Sequence, residues 1–174
     1  MVNGIWELPF GRGRRLLVDG WRAKLAGGWQ ISGIATFMAG APVNFNTNNH
    51  RDLAVATGVP AHLRLGPYYD EQLRRWVWFN EAAFDVRPTG ARRSVPANLS
   101  DVRRHGVKTV DVRMARNFAV SERVRLQFIA EAFNVQNRVQ FGAPETNVNS
   151  VNFGTTASQA NLPRQLQFAL KITF

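Results

Sequence analysis

The chain has no cysteine. That excludes a disulfide scaffold, a thiolate metal site and a cysteine nucleophile, and it removes any dependence on redox compartment. No stretch approaches the roughly 18 apolar residues of a membrane-spanning helix, which excludes a helical membrane protein. A membrane-spanning sheet is not excluded, because its strands alternate and escape a hydropathy scan. Acidic residues are scarce: 12 Asp and Glu stand against 22 Lys and Arg, for a net charge of +10. Such a balance suits nucleic acid, anionic lipid or an acidic ligand. It equally suits a piece of a larger chain whose compensating acids lie elsewhere. Hydrophobic residues make up 45% of the 174 positions, so the chain is not disordered and can build a core.

The strongest pattern is at the end. From Arg164 to Phe174, the residues Leu166, Phe168, Leu170, Ile172 and Phe174 share one face of a strand. Gln165, Gln167, Ala169, Lys171 and Thr173 share the other. This is period two with one apolar and one polar face. Its length matches the roughly 9–11 residues that a tilted strand needs to cross a bilayer. The pattern predicts further strands at about 123–134, 107–118, 28–40 and 2–9. In the first of these, Val124, Leu126, Phe128, Ala130 and Ala132 alternate with Arg125, Gln127, Ile129, Glu131 and Phe133. In 107–118, Val110, Val112 and Met114 oppose Thr109, Asp111, Arg113 and Asn117. In 28–40, Trp29, Ile31, Ala35 and Phe37 share a face, although Ile34 and Met38 break the alternation. In 2–9, Gly4, Trp6 and Leu8 face outward against Asn3 and Glu7.

The connections differ in length. Ala119–Glu122 is tight, Phe10–Gly27 intermediate, and Ala41–His105 and Val135–Pro163 are long. If Phe174 ends on the inner side of a membrane, both long links fall on the outer side, the loop asymmetry of outer-membrane barrels. The expected fold is all-β: an antiparallel up-and-down meander of about five long strands, the C-terminal part of a transmembrane β-barrel, with two long extracellular loops. Within those loops a short helix is expected to begin near Asn80, a suitable N-cap, and another helical turn within Asn147–Ala157. The first residues, Met1 to Phe10, lack the basic leader and apolar core of an export signal. The expectation is therefore a truncated chain or an internal Met1.

Several segments carry a resemblance. Glu7-Leu-Pro-Phe-Gly11 before a basic turn, Gly27-Gly-Trp-Gln-Ile-Ser-Gly33, Ala39-Gly-Ala-Pro-Val43 and Trp78-Phe-Asn-Glu-Ala-Ala-Phe84 occur in order. Arg123 to Asn134, Asn137, Phe141-Gly-Ala-Pro144, Phe153-Gly154 and Pro163 to Lys171 follow. Together they resemble the barrels of TonB-dependent outer-membrane receptors of the Oar-like type, which carry a carboxypeptidase-regulatory-like front end. Ile129 stands where that family usually has Arg. The resemblance implies a bacterial outer-membrane receptor or transporter. It also implies a signal peptide, a plug and the remaining strands of a barrel of about 22, all absent from this sequence. It implies contact with outer-membrane lipid and lipopolysaccharide, and contact with the TonB system only through the missing plug. Phe168, Leu170, Ile172 and Phe174 resemble the terminal signal read by the barrel-assembly machinery. No cofactor, no metal and no nucleic acid is implied, and the transported ligand is not legible.

The remaining groups point to no enzyme. His50, His62 and His105 lack ligand spacing and read as solvent-facing loop residues. Asp70-Glu71 and Glu81 with Asp85 could serve a cation or acid-base chemistry, but suit a solvated loop. Ser32, Ser94, Ser100, Ser121, Ser150 and Ser158 lack a nucleophile elbow. Gly11-Arg-Gly-Arg-Arg15 is neither a dinucleotide fingerprint nor a P-loop. Asn98-Leu-Ser100 is a chance glycosylation triplet. The clusters Arg12/Arg14/Arg15, Arg74/Arg75, Arg92/Arg93 and Arg103/Arg104 would either meet lipopolysaccharide phosphates or simply stay wet. Interfacial girdles are expected from Trp6, Trp29, Phe118, Phe168 and Phe174. The competing expectation is a small soluble basic β-barrel that binds a ligand or nucleic acid, with aromatics stacking on bases.

Overall fold

A computed structural model describes residues 1–10, 16, 20–21, 27–45, 54–64, 66–88, 92 and 94–174. In chain order the strands are β1 (Val2–Glu7), β2 (Trp29–Met38), β3 (Pro42–Asn44), β4 (Ala54–Ala56), β5 (Tyr68–Asp70), β6 (Arg75–Val77), β7 (Phe84–Val86), β8 (Asn98–Arg103), β9 (Val107–Ala119), β10 (Arg125–Phe133), β11 (Thr155–Thr156) and β12 (Gln165–Thr173). The chain divides into two compact units.

The first unit holds the five strands expected from periodicity, in one sheet of order β1-β2-β9-β10-β12. Chain order and sheet order coincide, as in a meander. The pairs β1–β2, β9–β10 and β10–β12 are antiparallel. Gly33 of β2 lies against Asp111 of β9, and Gly28, just before β2, against Asn117 of β9, so these strands also run in opposite directions. Local chemistry sets the strand ends. Leu8 N–H still donates to Trp29 O at 3.0 Å, but Pro9 has no N–H to continue the ladder. Gly28 adopts φ 77° just before β2, a conformation that suits glycine. The β9–β10 hairpin closes as Val120 and Ser121 N–H groups donate to Val124 O, while Val124 N–H donates to Ser121 Oγ at 3.1 Å.

At the far end of β10, Asn134 takes φ 49° and is buried. Its N–H donates to Asp111 Oδ1 at 2.8 Å. Its Nδ2 donates to Arg138 O and Leu162 O, and its Oδ1 accepts from Arg138 N–H. Asn137 is also left-handed at φ 49°, and its Oδ1 accepts from Arg164 N–H at 2.9 Å. Asparagine tolerates this conformation better than most residues. These two side chains therefore clip the exit of β10 to the entry of β12.

The second unit comprises residues of both long links, 39–107 and 139–161. The links, expected to hold only short helical turns, hold strands as well. They hold the pairs β3–β8 and β4–β7 and the sheet β11-β6-β5. Strand β11, from the second link, pairs with β6, from the first, placing Thr155 opposite Val77 and Thr156 opposite Trp76. The unit has its own core of Val43, Phe45, Trp78, Phe79, Phe84, Val95, Val102 and Phe153. Phe79 and Phe153 meet edge to face at 5.1 Å, and Phe45 stacks on Phe84 at 4.9 Å. Aromatic contacts of this kind add to area burial.

The helix expected near Asn80 is a single 3-10 turn, Glu81–Ala83, capped by Asn80, whose side chain accepts from Ala82 N–H. The helical turn expected within Asn147–Ala157 is absent. That segment instead makes tight turns and β11. Gly154 at φ 77° breaks any helix there, and its carbonyl is taken by Trp78 N–H at 2.8 Å.

Candidate functional site

In an antiparallel ladder, directly paired residues project to the same side. The registers therefore define the two faces of the five-stranded sheet. Leu166, Phe168, Leu170 and Ile172 on β12 oppose Ala132, Ala130, Phe128 and Leu126 on β10. These oppose Val112, Met114, Arg116 and Phe118 on β9. On β1, Val2, Gly4 and Trp6 oppose Ala35, Gly33 and Ile31 on β2. Trp29 meets the Phe128 ring edge-on at 6.2 Å, and Phe128 stacks on Phe168 at 6.3 Å. Among the ladder-paired residues of β9, β10 and β12, this face is apolar apart from Arg116.

The other face mixes polar and apolar groups. Gln165, Gln167, Lys171 and Thr173 oppose Phe133, Glu131, Gln127 and Arg125. Glu131 also sits opposite Arg113, with an Nε to Oε1 distance of 3.3 Å. Ile34, which breaks the alternation of β2, pairs with Asn3 and lines a small hollow with Asp111, Arg113 and Glu131. An isolated Ile is tolerated on a wet face, since neither lipid nor core excludes it.

The apolar face is not buried. Leu166, Phe168, Leu170 and Ile172 are 56–67% exposed, Trp6 59% and Phe37 60%. Water-soluble monomers rarely present so continuous an apolar surface. Phe174, beyond β12, is 97% exposed. Of the expected girdle residues, Trp29 and Phe118 flank Arg116: its guanidinium carbon lies 5.6 Å from the Trp29 ring centroid and 4.3 Å from that of Phe118. Arg116 belongs to none of the motifs or basic clusters in the sequence. Its even-number parity with Val112 and Met114 was the signal that could have found it.

The loop groups resolve differently. His50, Arg12, Arg14, Arg15 and Arg93 lie outside the described residues. His62 is exposed, with Nδ1 3.4 Å from Asp101 Oδ2. His105 is not a solvent-facing residue. It is half-buried, 5.9 Å from the Trp78 ring and 5.4 Å from Phe141, because the aromatic floor of the unit offers it a flat surface. Asp70 Oδ1 accepts from the N–H groups of Gln72 and Leu73, so it caps the β5–β6 turn, with Arg74 left-handed at φ 52°. Arg103 Nε donates to Gly40 O at 2.8 Å. No group of three or more His, Asp or Glu suited to a metal occurs among the described residues.

The quoted motifs find structural explanations. Trp78-Phe79 packs against Phe153-Gly154, and Trp78 Nε1 donates to Arg103 O at 2.8 Å. A Cβ on Gly154 would press on Glu81 and Phe79, and one on Gly40 would collide with the Arg104 carbonyl. Phe141 sits on Trp76, Trp78 and His105. A family model described as an outer membrane beta barrel domain matches residues 1–167. No curated protein and no solved structure matches the chain.

Proposed function

From the chain's membership of the outer membrane beta barrel domain family, we propose that it forms part of the wall of a TonB-dependent receptor of the Oar-like type. The family itself places the chain in the bacterial outer membrane. The finer reading is ours, and one observation carries it: a five-stranded meander has an exposed apolar face backed by a face with Arg113, Glu131 and Lys171. Hydrocarbon accepts the first face and a watery lumen the second. The order of the quoted motifs supports the receptor type.

Spanning strands must close, since lipid cannot satisfy an open edge. A barrel of the smallest kind has about 8 strands, so these five are completed by others from the same parent chain or another copy. On this reading the segment does no transport by itself and no catalysis. Both long links leave the sheet at one end, which is the outer side, toward lipopolysaccharide. The last side chains of β12, Phe168, Leu170 and Ile172, together with Phe174, engage the barrel-assembly machinery. Coupling to TonB passes through a plug outside this segment. The soluble alternative is disfavoured by the exposure of the apolar face.

The test is the coding frame in the source genome together with membrane fractionation. A plug and further alternating strands in frame are expected, with the product in the outer membrane. A complete product without either, still found in the outer membrane, would overturn the receptor type alone. A product found in the soluble fraction would overturn the wall as well.

A further inference from the structure

The ladders of the sheet β1-β2-β9-β10-β12 are all antiparallel. Each neighbour reverses the chain, so after five strands the direction is again that of the first. The two edge strands, β1 and β12, therefore run the same way.

Neither edge is protected. All six residues of β1 and all nine of β12 are exposed. Edge strands that face water are blunted by charges, proline or a bulge. Strand β12 carries one charge, Lys171, and no proline, and its register with β10 is unbroken from Gln165 to Thr173. Strand β1 carries one charge, Glu7, and its register with β2 is also unbroken. About half of the residues on each edge point N–H and C=O groups outward. Hydrocarbon offers those groups no water, so each edge needs a strand beside it.

A second copy of the chain does not fit as that strand. Placed head to tail in the same orientation, its β1 would lie parallel to β12. A parallel ladder has slanted bonds and is the weaker kind, and bacterial outer-membrane barrels are antiparallel and even-numbered. Placed with β12 against β12, the copies are antiparallel only if one of them is inverted across the membrane. Its inserts 39–107 and 139–161 would then emerge on the inner side, where barrel connections are short turns.

We infer that both edges are closed by one antiparallel segment of another sequence, with an odd number of strands and at least about three of them. Its first and last strands both run opposite to β1 and β12. Its alternation sets apolar side chains beside Val2 and Trp6 at one edge and beside Leu166, Phe168, Leu170 and Ile172 at the other. On the membrane-wall reading, on which this rests, copies of the chain are thereby removed as a source of the missing strands.

The test places a photo-crosslinking side chain, p-benzoylphenylalanine, at two depths on each edge: Asn3 and Glu7 on β1, Gln167 and Lys171 on β12. The whole chain, assembled in the outer membrane of its source cells from isotopically light and heavy copies, is irradiated, and linked peptides are read by mass spectrometry. Besides the neighbours β2 and β10, each edge should link to peptide from outside residues 1–174. Glu7 should link about four residues earlier in its partner strand than Asn3, and Lys171 about four earlier than Gln167, the order of an antiparallel ladder. The same probe at Ile129, flanked by Ala115 and Ala169, should link to β9 or β12 and shows that the sheet is formed. Light–heavy links between β1 and β12 overturn the inference. So does the opposite order at either edge, and so does an edge without a partner where Ile129 links normally. These results leave the outer-membrane location in place, whereas a product in the soluble fraction removes the wall reading itself.

Discussion

Arg116 lies with its guanidinium carbon 4.3 Å from the ring centroid of Phe118, two residues along the same strand and on the same face. Directly across the ladder stands Phe128. This is the one charged side chain among the ladder-paired residues of the otherwise apolar face of β9, β10 and β12. An arginine facing lipid costs about 2–4 kcal/mol at the bilayer midplane but only about 0–1 near the interface. Its aromatic neighbours are those of an interfacial girdle. Arg116→Lys should therefore leave membrane assembly intact. It should lower thermal stability by about 0.5–1 kcal/mol, because an ammonium cannot stack as a planar guanidinium does. A melting curve of the purified protein measures this, and an unchanged curve would remove the stacking from the account.

The midplane is the stricter place. Ala130 and Ile129 are neighbours near the middle of β10, at one depth and on opposite faces. Ala130→Arg should reduce outer-membrane assembly sharply, at about 2–4 kcal/mol, and Ile129→Arg should be accepted. Equal recovery of the two variants in the membrane fraction would reverse or erase the facing assignment.

Asn134 offers a test of the clip between strands. Asn134→Ala should destabilise by about 1–3 kcal/mol, through lost hydrogen bonds at a buried site and a left-handed backbone. Asn134→Gly restores backbone freedom and should recover part of that loss. If glycine does no better than alanine in a denaturation series, backbone conformation contributes nothing there.

In the loop unit, Phe79 is fully buried. Phe79→Ala should cost about 3–5 kcal/mol. Limited proteolysis should then cut within both 39–107 and 139–161. Cleavage confined to the first segment would contradict a shared core.

The five long strands were legible because a two-sided sheet imposes its period residue by residue: Leu166 to Ile172 cannot be shifted by one position without exchanging the faces. The ends of all five agree to within two residues, β1 stopping at Glu7 ahead of Pro9. The loop unit was not legible. Its strands are two to six residues long, too short for a period to register. The pairing of Thr155 with Val77 joins positions far apart in sequence. Turn geometry explains the missing helix: Gly154 belongs to the Phe153-Gly154 motif, and its left-handed conformation ends any helical course.

The mixed parentage of the β6–β11 ladder has a consequence for anyone who wishes to re-engineer this surface. Residues 39–107 and 139–161 behave as a two-part cassette: graft one onto another scaffold without the other and Phe79 loses Phe153, while Trp78 loses the carbonyl of Gly154. Variation in either insert is thus constrained by its distant counterpart, and exchange between proteins should succeed only when the halves travel together.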